Sequence, residues 1–311
     1  STPGAALRSV RKKPTRDECA QALEVLRRFD VRYFFYIGGN DSAETANLLN
    51  EMAVAARYEL RLFHIPKTID NDLRVTDHCP GYPSAARYVA LALMGDNMDT
   101  RSLPGVKLNV IMGRHAGWLT AASVLARQNP DDGPHLVYCP EVEFSVDAFT
   151  ADVERVYARL GRCVVAVSEG IHDASGRLIA ESNEVDSHGN VQLSGSGALG
   201  DRLSAMLKKR LGEKLRVRAD TFGYAQRSFA GVVSTVDASE AREVGRCAVR
   251  FATDGEAQHG SIAIVRDSSQ PYRAHFERTE LTNVARDTRC LDARFLKGAK
   301  LVEYMQNNLV A

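Results

Sequence analysis

Along this 311-residue chain, short apolar runs rich in β-branched and aromatic residues end repeatedly in a glycine or polar turn. Tyr33-Phe34-Phe35-Tyr36-Ile37 runs into Gly38-Gly39, and Ser42 to Arg57 then places apolar residues at Ala46, Leu49, Met52, Ala53 and Ala56, a helical period. The same order returns at Leu60 to Ile65 before a polar loop, and at Leu108 to Met112 before Gly113 and a helix expected through Arg127. It recurs at Cys163 to Ser168 before Glu169-Gly170 and at Lys214 to Thr221 before Phe222-Gly223. Strands that alternate with helices lie parallel to one another, so the pattern predicts an α/β protein whose parallel sheets carry helices on both faces. Asn129-Pro130-Asp131-Asp132-Gly133 and the stretch Asp173 to Asn190 read as loops, the second with a hairpin around His188-Gly189-Asn190.

Charge composition excludes some partners. Forty Lys plus Arg balance 39 Asp plus Glu, so the net charge of +1 gives no general pull toward nucleic acid or an anionic membrane, and anion binding must be local. No apolar run approaches the ~20 residues of a membrane-spanning helix. The six cysteines (Cys19, Cys79, Cys139, Cys163, Cys247, Cys290) are scattered without metal-ligand spacing, which suits reduced thiols in a cytoplasm.

Open α/β sheets bind ligands at the carboxyl ends of their strands, and four such loops are chemically loaded. Gly38-Gly39-Asn40-Asp41-Ser42 reads either as a phosphate cradle, with bare backbone and the positive end of a helix, or as a tight turn with Asp41 or Ser42 as cap. Pro66-Lys67-Thr68-Ile69-Asp70-Asn71-Asp72 sets two carboxylates two residues apart with a lysine just before them. Phosphoryl transfer needs a base, a cation for the developing charge and carboxylates for a divalent ion, and this loop holds all three; a solvated polar turn is the plainer reading. In Met112-Gly113-Arg114-His115-Ala116-Gly117-Trp118, Arg114 at a helix start would bind an anion, His115 reads as a catalytic acid or, more commonly at such a place, a packed side chain and is left out of the site, and Trp118 reads as core. Arg218 and Arg227, nine residues apart around Gly223-Tyr224-Ala225-Gln226, form a phosphate clamp or two surface charges. Glu169 ends its strand as a sugar-hydroxyl acceptor or a helix cap.

The strings GGNDS, PKTIDND, MGRHAGW, SEG and FGYAQRSFAG, in this order and spacing, resemble the phosphofructokinase family in its pyrophosphate-using branch, from about Thr2 to the carboxyl end. The resemblance implies two similar doubly wound α/β domains with the active site in the cleft between them. Residues 1–130 would form the donor-side domain, lacking its first βαβ segment. Residues 131–290 would form the sugar-phosphate side and 291–311 a C-terminal helix packing back on the core. It implies reversible transfer of a phosphoryl group from pyrophosphate to the 1-hydroxyl of fructose 6-phosphate, a glycolytic and gluconeogenic step, with Mg²⁺. Asp70 would be the base and Lys67 the mark of a pyrophosphate user. Gly38, Gly39, Asn40, Asp41, Ser42 and, by a weaker match, Arg11 would lie at the donor. Thr68, Asp70, Asp72, Met112, Gly113, Arg114, Glu169, Tyr224 and Arg227 would lie at the sugar phosphate. Arg218 would reach into a neighbouring subunit of a homodimer or homotetramer.

Three departures from the family pattern shape these expectations. Asn40 stands where aspartate is frequent, which assigns Mg²⁺ chiefly to Asp41 and Asp72. Gly105 stands where an arginine is expected, leaving a cross-subunit phosphate contact to Lys107 or to nothing. The family's opening strand and glycine loop have no counterpart before Ser1. ATP users commonly have glycine at the places of Asp41 and Lys67; Asp41 is expected to repel a nucleotide's inner phosphate by about 4 kcal/mol at ~4 Å and an effective dielectric near 20. An ATP-dependent 6-phosphofructokinase and a non-catalytic regulatory subunit that keeps the sugar-phosphate pocket stand as the rival readings.

Overall fold

Two four-stranded sheets organise the computed structural model, which describes residues 6–10, 12–180, 196–255, 257–296, 301 and 305. Arg11 and the hairpin expected around His188-Gly189-Asn190 lie outside the described residues. The elements begin with α1 (Arg16–Arg28), β1 (Tyr33–Gly38), α2 (Asn40–Ala55), β2 (Arg61–Pro66), α3 (Tyr82–Ser102) and β3 (Gly105–Ile111). They continue with α4 (Trp118–Ala122), β4 (Leu136–Tyr138), α5 (Val146–Leu160), β5 (Arg162–Ser168), α6 (Ala198–Leu211) and β6 (Val217–Thr221). The last are α7 (Thr235–Thr253), β7 (His259–Ser269), β8 (Tyr272–Thr279) and α8 (Leu281–Val284).

The first sheet runs β1-β2-β7-β8 and the second β4-β5-β3-β6. Every pair within the second sheet is parallel, as are β1 with β2 and β2 with β7; β8 returns antiparallel on β7. The alternation of strands and helices thus produces the expected parallel sheets, with one antiparallel edge. Because β3 pairs with β5 and β6 while β7 joins β2, the sheets do not divide the chain at residue 130 or 290. The reason is that a central parallel strand takes neighbours from distant crossovers.

Two-sided burial explains the continuous apolar strands. Val106, Leu108 and Val110 of β3 pack with Phe149 and Val153 of α5 and Leu203 and Leu207 of α6, while Ile111 faces the cluster of α3 and α4. Leu291, Leu301 and Met305 are buried in that same cluster. In the first sheet, Phe34 and Tyr36 face Leu23 of α1 and Ala46 and Leu49 of α2, and Phe63 faces Val244 and Ala248 of α7. α1 starts at a capping box, with Thr15 Oγ1 accepting from Glu18 N–H while Glu18 Oε2 accepts from Thr15 N–H at 2.9 Å.

Two local expectations change. α2 is capped by Gly39 without any side chain, so neither Asp41 nor Ser42 serves as its cap. The helix expected from Gly113 through Arg127 is only Trp118–Ala122 followed by a 3-10 turn, because Gly113 and Gly117 flank a loop that cannot continue a helical ladder. Arg114 therefore stands in a loop rather than at a helix start. All six cysteines are free thiols. Among the described residues no helix is long and apolar enough to cross a membrane.

Candidate active site

The acid loop leaves β2 directly opposite the glycine turn of β1. Gly38 pairs with Pro66, and Lys67 N–H donates to Gly38 O at 3.0 Å. His64 braces this junction from beneath: burial pushes its pKa down to about 4, so the ring is neutral. Since Gly38 O can only accept, His64 Nε2–H donates to it at 3.0 Å and Nδ1 accepts from Ser261 Oγ at 2.8 Å.

Thr68 then shapes the position of Asp70. Its hydroxyl accepts Asp70 N–H at 3.1 Å and donates to Asp70 Oδ2 at 3.3 Å, a local turn that fixes the carboxylate. Asn71 takes a left-handed conformation at φ 55°, and its Oδ1 accepts Cys79 N–H at 2.9 Å. Burial raises the Asp70 pKa, and its Thr68 bond and the charges of Lys67, His115 and Arg227 oppose that rise. Those four charged or ionisable groups come from the end of β2 in the first sheet and from the loops after β3 and β6 in the second. Lys67, His115 and Arg227 therefore lie near enough to Asp70 to shift its proton affinity.

Asp72 is the other acid of the pair. Burial and the neighbouring Asp70 carboxylate push its pKa up to about 6, against the charge of Arg289 and a 2.7 Å bond from Asn40 Nδ2. Asp41 is not drawn into this pair: its side chain is 77% exposed and lies 3.4 Å from Lys13. Solvent screening at that exposure removes most of the repulsion expected of Asp41, leaving about 1 kcal/mol or less at ~4 Å. Among the described residues no group of three or more His, Cys, Asp or Glu side chains gathers for a metal. Two mutually destabilising carboxylates do fit a divalent cation of the Mg²⁺ kind, which takes one or two carboxylates and completes its shell with water and substrate phosphates.

The loop after β3 is held by its backbone. Gly113, at φ 152°, accepts a bond from Ser168 Oγ at 2.5 Å, and a Cβ there would lie 2.6 Å from Ala116 O. Its N–H points to Glu169 Oε1 at 3.5 Å. No helix begins in residues 169–180, so Glu169 is not a helix cap. Met112 N–H donates to Gln226 Oε1 at 3.3 Å, which ties this loop to the 3-10 turn Gly223–Arg227. Arg227 stacks 4.5 Å over Tyr224, and both are exposed, as is Arg114. Arg218 does not join Arg227 in a clamp: it donates to Asp99 Oδ2 at 2.5 Å and to Leu103 O at 3.3 Å, because it sits early on β6 rather than at its carboxyl end. Lys107 is buried and paired with Asp96 and Asp220, so it offers no outward phosphate contact.

The family model for phosphofructokinase matches residues 1–252. The chain belongs to the phosphofructokinase family. It is similar to the pyrophosphate–fructose 6-phosphate 1-phosphotransferase of Rhodospirillum rubrum, 55% identical over 299 residues, which cover 95% of this chain and 73% of that one. The protein of the same name from Xanthomonas campestris is 40% identical over 307 residues, covering 95% and 72%. The crystal structure of the pyrophosphate-dependent phosphofructokinase from Marinobacter aquaeolei matches with a TM-score of 0.84 at 31% identity, covering 100% of this chain and 75% of that one.

Three residues of this cluster were not singled out from sequence. His115, left out as a packed side chain, is exposed, and it and Asp70 shift one another's proton affinity even though burial and Arg114 hold the His115 pKa down. Gln226 lies in the noticed Gly-Tyr-x-Gln turn and joins the loops after β3 and β6. Arg289 is bonded to Asn71, and no spacing pattern marks it.

Proposed function

We propose that this chain transfers a phosphoryl group from pyrophosphate to the 1-hydroxyl of fructose 6-phosphate, giving fructose 1,6-bisphosphate and phosphate. The observation that carries the reading is Asp70, a half-buried acid fixed by Thr68 within electrostatic reach of Lys67 and Arg227, with its proton affinity raised by burial. The names of the similar enzymes point to the same substrates.

In this reading Asp70 accepts the proton of the 1-hydroxyl as the oxygen attacks phosphorus, since a base of raised pKa holds the proton more firmly. The bond from phosphorus to the bridging oxygen of pyrophosphate breaks, and the leaving phosphate is met by Lys67 and by the uncapped amides at the start of α2, near Gly38, Gly39, Asn40, Asp41 and Ser42. Arg114 and Arg227 hold the 6-phosphate, with Tyr224 beneath Arg227 and Met112, Gly113, Glu169 and Thr68 shaping the sugar pocket. Mg²⁺, when bound, offsets phosphate charge; Asp72 would hold it, with Asp41 within reach only through solvent.

In this reading each of the two sheets centres one α/β domain, a division that follows strand pairing rather than chain order, and the substrates enter between the two. The protein works as a homo-oligomer in which Arg218 swings from Asp99 toward a neighbouring subunit's sugar phosphate. A reducing cytoplasm suits its six thiols, five of them buried. A coupled assay with pyrophosphate and ATP supplied separately tests the reading. Bisphosphate formation with pyrophosphate supports it, and activity with ATP alone or with neither donor refutes it.

A further inference from the structure

Arg289 lies after α8, remote in sequence from both loops of the site, and is bonded to each. Its guanidinium uses all five of its N–H groups. Nε–H and one Nη2–H donate to Asn71 O at 3.2 and 2.7 Å, and the other Nη2–H donates to Asn71 Oδ1 at 2.7 Å. The Nη1 pair donates to Asp77 O at 2.8 Å and to Thr76 O. The backbone N–H of Arg289 adds a bond to Asp72 O at 2.8 Å. These acceptors begin inside the acid loop and end past it.

The same residue reaches the sugar-side loop. Its guanidinium lies 4.9 Å over the Trp118 ring, and its carbonyl accepts from Trp118 Nε1 at 2.9 Å. The next two residues repeat the pattern. Cys290 Sγ donates to His115 O at 3.2 Å, and Leu291 N–H shares Glu141 Oε1 with Gly117 N–H at 3.0 and 2.8 Å. Segment 289–291 therefore clips the loop that carries Asp70 to the loop that carries Arg114 and His115.

The carbonyls of Asn71, Thr76 and Asp77 need donors, and a planar five-donor group can serve all three from one side. Lysine offers a point charge with three donors and cannot span these acceptors. No donor of Arg289 is left for a substrate, so beyond the charge it sets beside Asp72 its influence on the reaction acts through the loops.

We propose that Arg289 is a positioning residue for phosphoryl transfer, holding the acid loop in register with the sugar-side loop. The proposal rests on the phosphotransferase reading above. A misplacement of about 1 Å costs on the order of a hundredfold in rate without requiring loss of binding.

The test compares wild type, Arg289→Ala and Arg289→Lys in kcat, in KM for fructose 6-phosphate and for pyrophosphate, and in thermal unfolding. A cavity of about 340 Å³ lined in part by Asn71, His78, Tyr82, Trp118 and Arg289 gives free guanidinium room to enter the alanine variant. The expected result for Arg289→Ala is a kcat loss of about 10²-fold with both KM values within roughly threefold, and recovery of about tenfold with millimolar guanidinium that does not stimulate wild type. Arg289→Lys should remain near the alanine variant. A kcat within about threefold of wild type, or a loss that guanidinium leaves untouched, overturns the proposal. Amide exchange at Cys79, whose N–H is held by Asn71, separates this result from failure of the enzymatic reading. If wild type is inactive, exchange at Cys79 that speeds by about tenfold or more in Arg289→Ala keeps the loop-holding role, and unchanged exchange removes it.

Discussion

The Asn40 amide donates to Asp72 Oδ2 at 2.7 Å, joining the first turn of α2 to the acid loop. This bond favours the ionised form of Asp72, working against burial and the Asp70 charge, which still leave its pKa at about 6. Asn40→Asp replaces a donor with a third carboxylate. Without Mg²⁺ the variant should unfold at a lower temperature than wild type, and Mg²⁺ should raise its Tm by more than it raises that of wild type. Thermal scans with and without Mg²⁺ check both statements.

Donor choice depends more on Lys67 than on Asp41. Asp41 is largely solvated, so Asp41→Gly alone should raise ATP-dependent kcat/KM by no more than about fivefold, the effect of roughly 1 kcal/mol. Asp41→Gly with Lys67→Gly opens the space for a nucleotide and removes a charge that favours the compact donor, so the pair should shift the pyrophosphate-to-ATP ratio further than the sum of the two. Parallel assays with the two donors measure the ratio.

A buried chain of charge ties the residues after the acid loop to the first sheet. His78 bonds Asp77 Oδ2 at 2.8 Å and Glu240 Oε2 at 2.7 Å, and Arg266 bonds both Asp77 oxygens at 2.9 Å. Burial lowers the His78 pKa, but the two carboxylates outweigh it and the net direction is upward. A raised histidine contributes stability in full below its unfolded pKa of about 6.5 and loses it as pH rises through the folded value. Wild-type stability should therefore fall on the alkaline side of neutrality. His78→Gln should be less stable at pH 6 and flatter from there to pH 9, which denaturation at stepped pH will show.

Strands were legible where their apolar runs are unbroken: Cys163 to Ser168 lies within β5, buried on both faces, and Tyr33 to Ile37 became β1, although that strand is a half-exposed edge. β8 escaped notice because Tyr272-Arg273-Ala274-His275-Phe276-Glu277 alternates on an exposed edge, and only a period of two would have marked it. The acid loop was readable since its chemistry is local in sequence, with Thr68 turning Asp70 from two residues away. Arg289 was not, because its role consists of bonds to backbone carbonyls more than 200 residues distant. The Arg218 and Arg227 pair misled for the opposite reason: nine residues of spacing say nothing about which end of β6 each arginine occupies.

Asp70 as the acceptor of the hydroxyl proton is the claim on which the functional account stands. Asp70→Asn preserves shape and its bonds with Thr68 while removing the base, so turnover with pyrophosphate should fall by roughly 10² to 10⁴ with fructose 6-phosphate binding within a few-fold of wild type. Steady-state kcat together with calorimetric affinity for fructose 6-phosphate measures both quantities on one preparation. Turnover unchanged in Asp70→Asn would contradict the account.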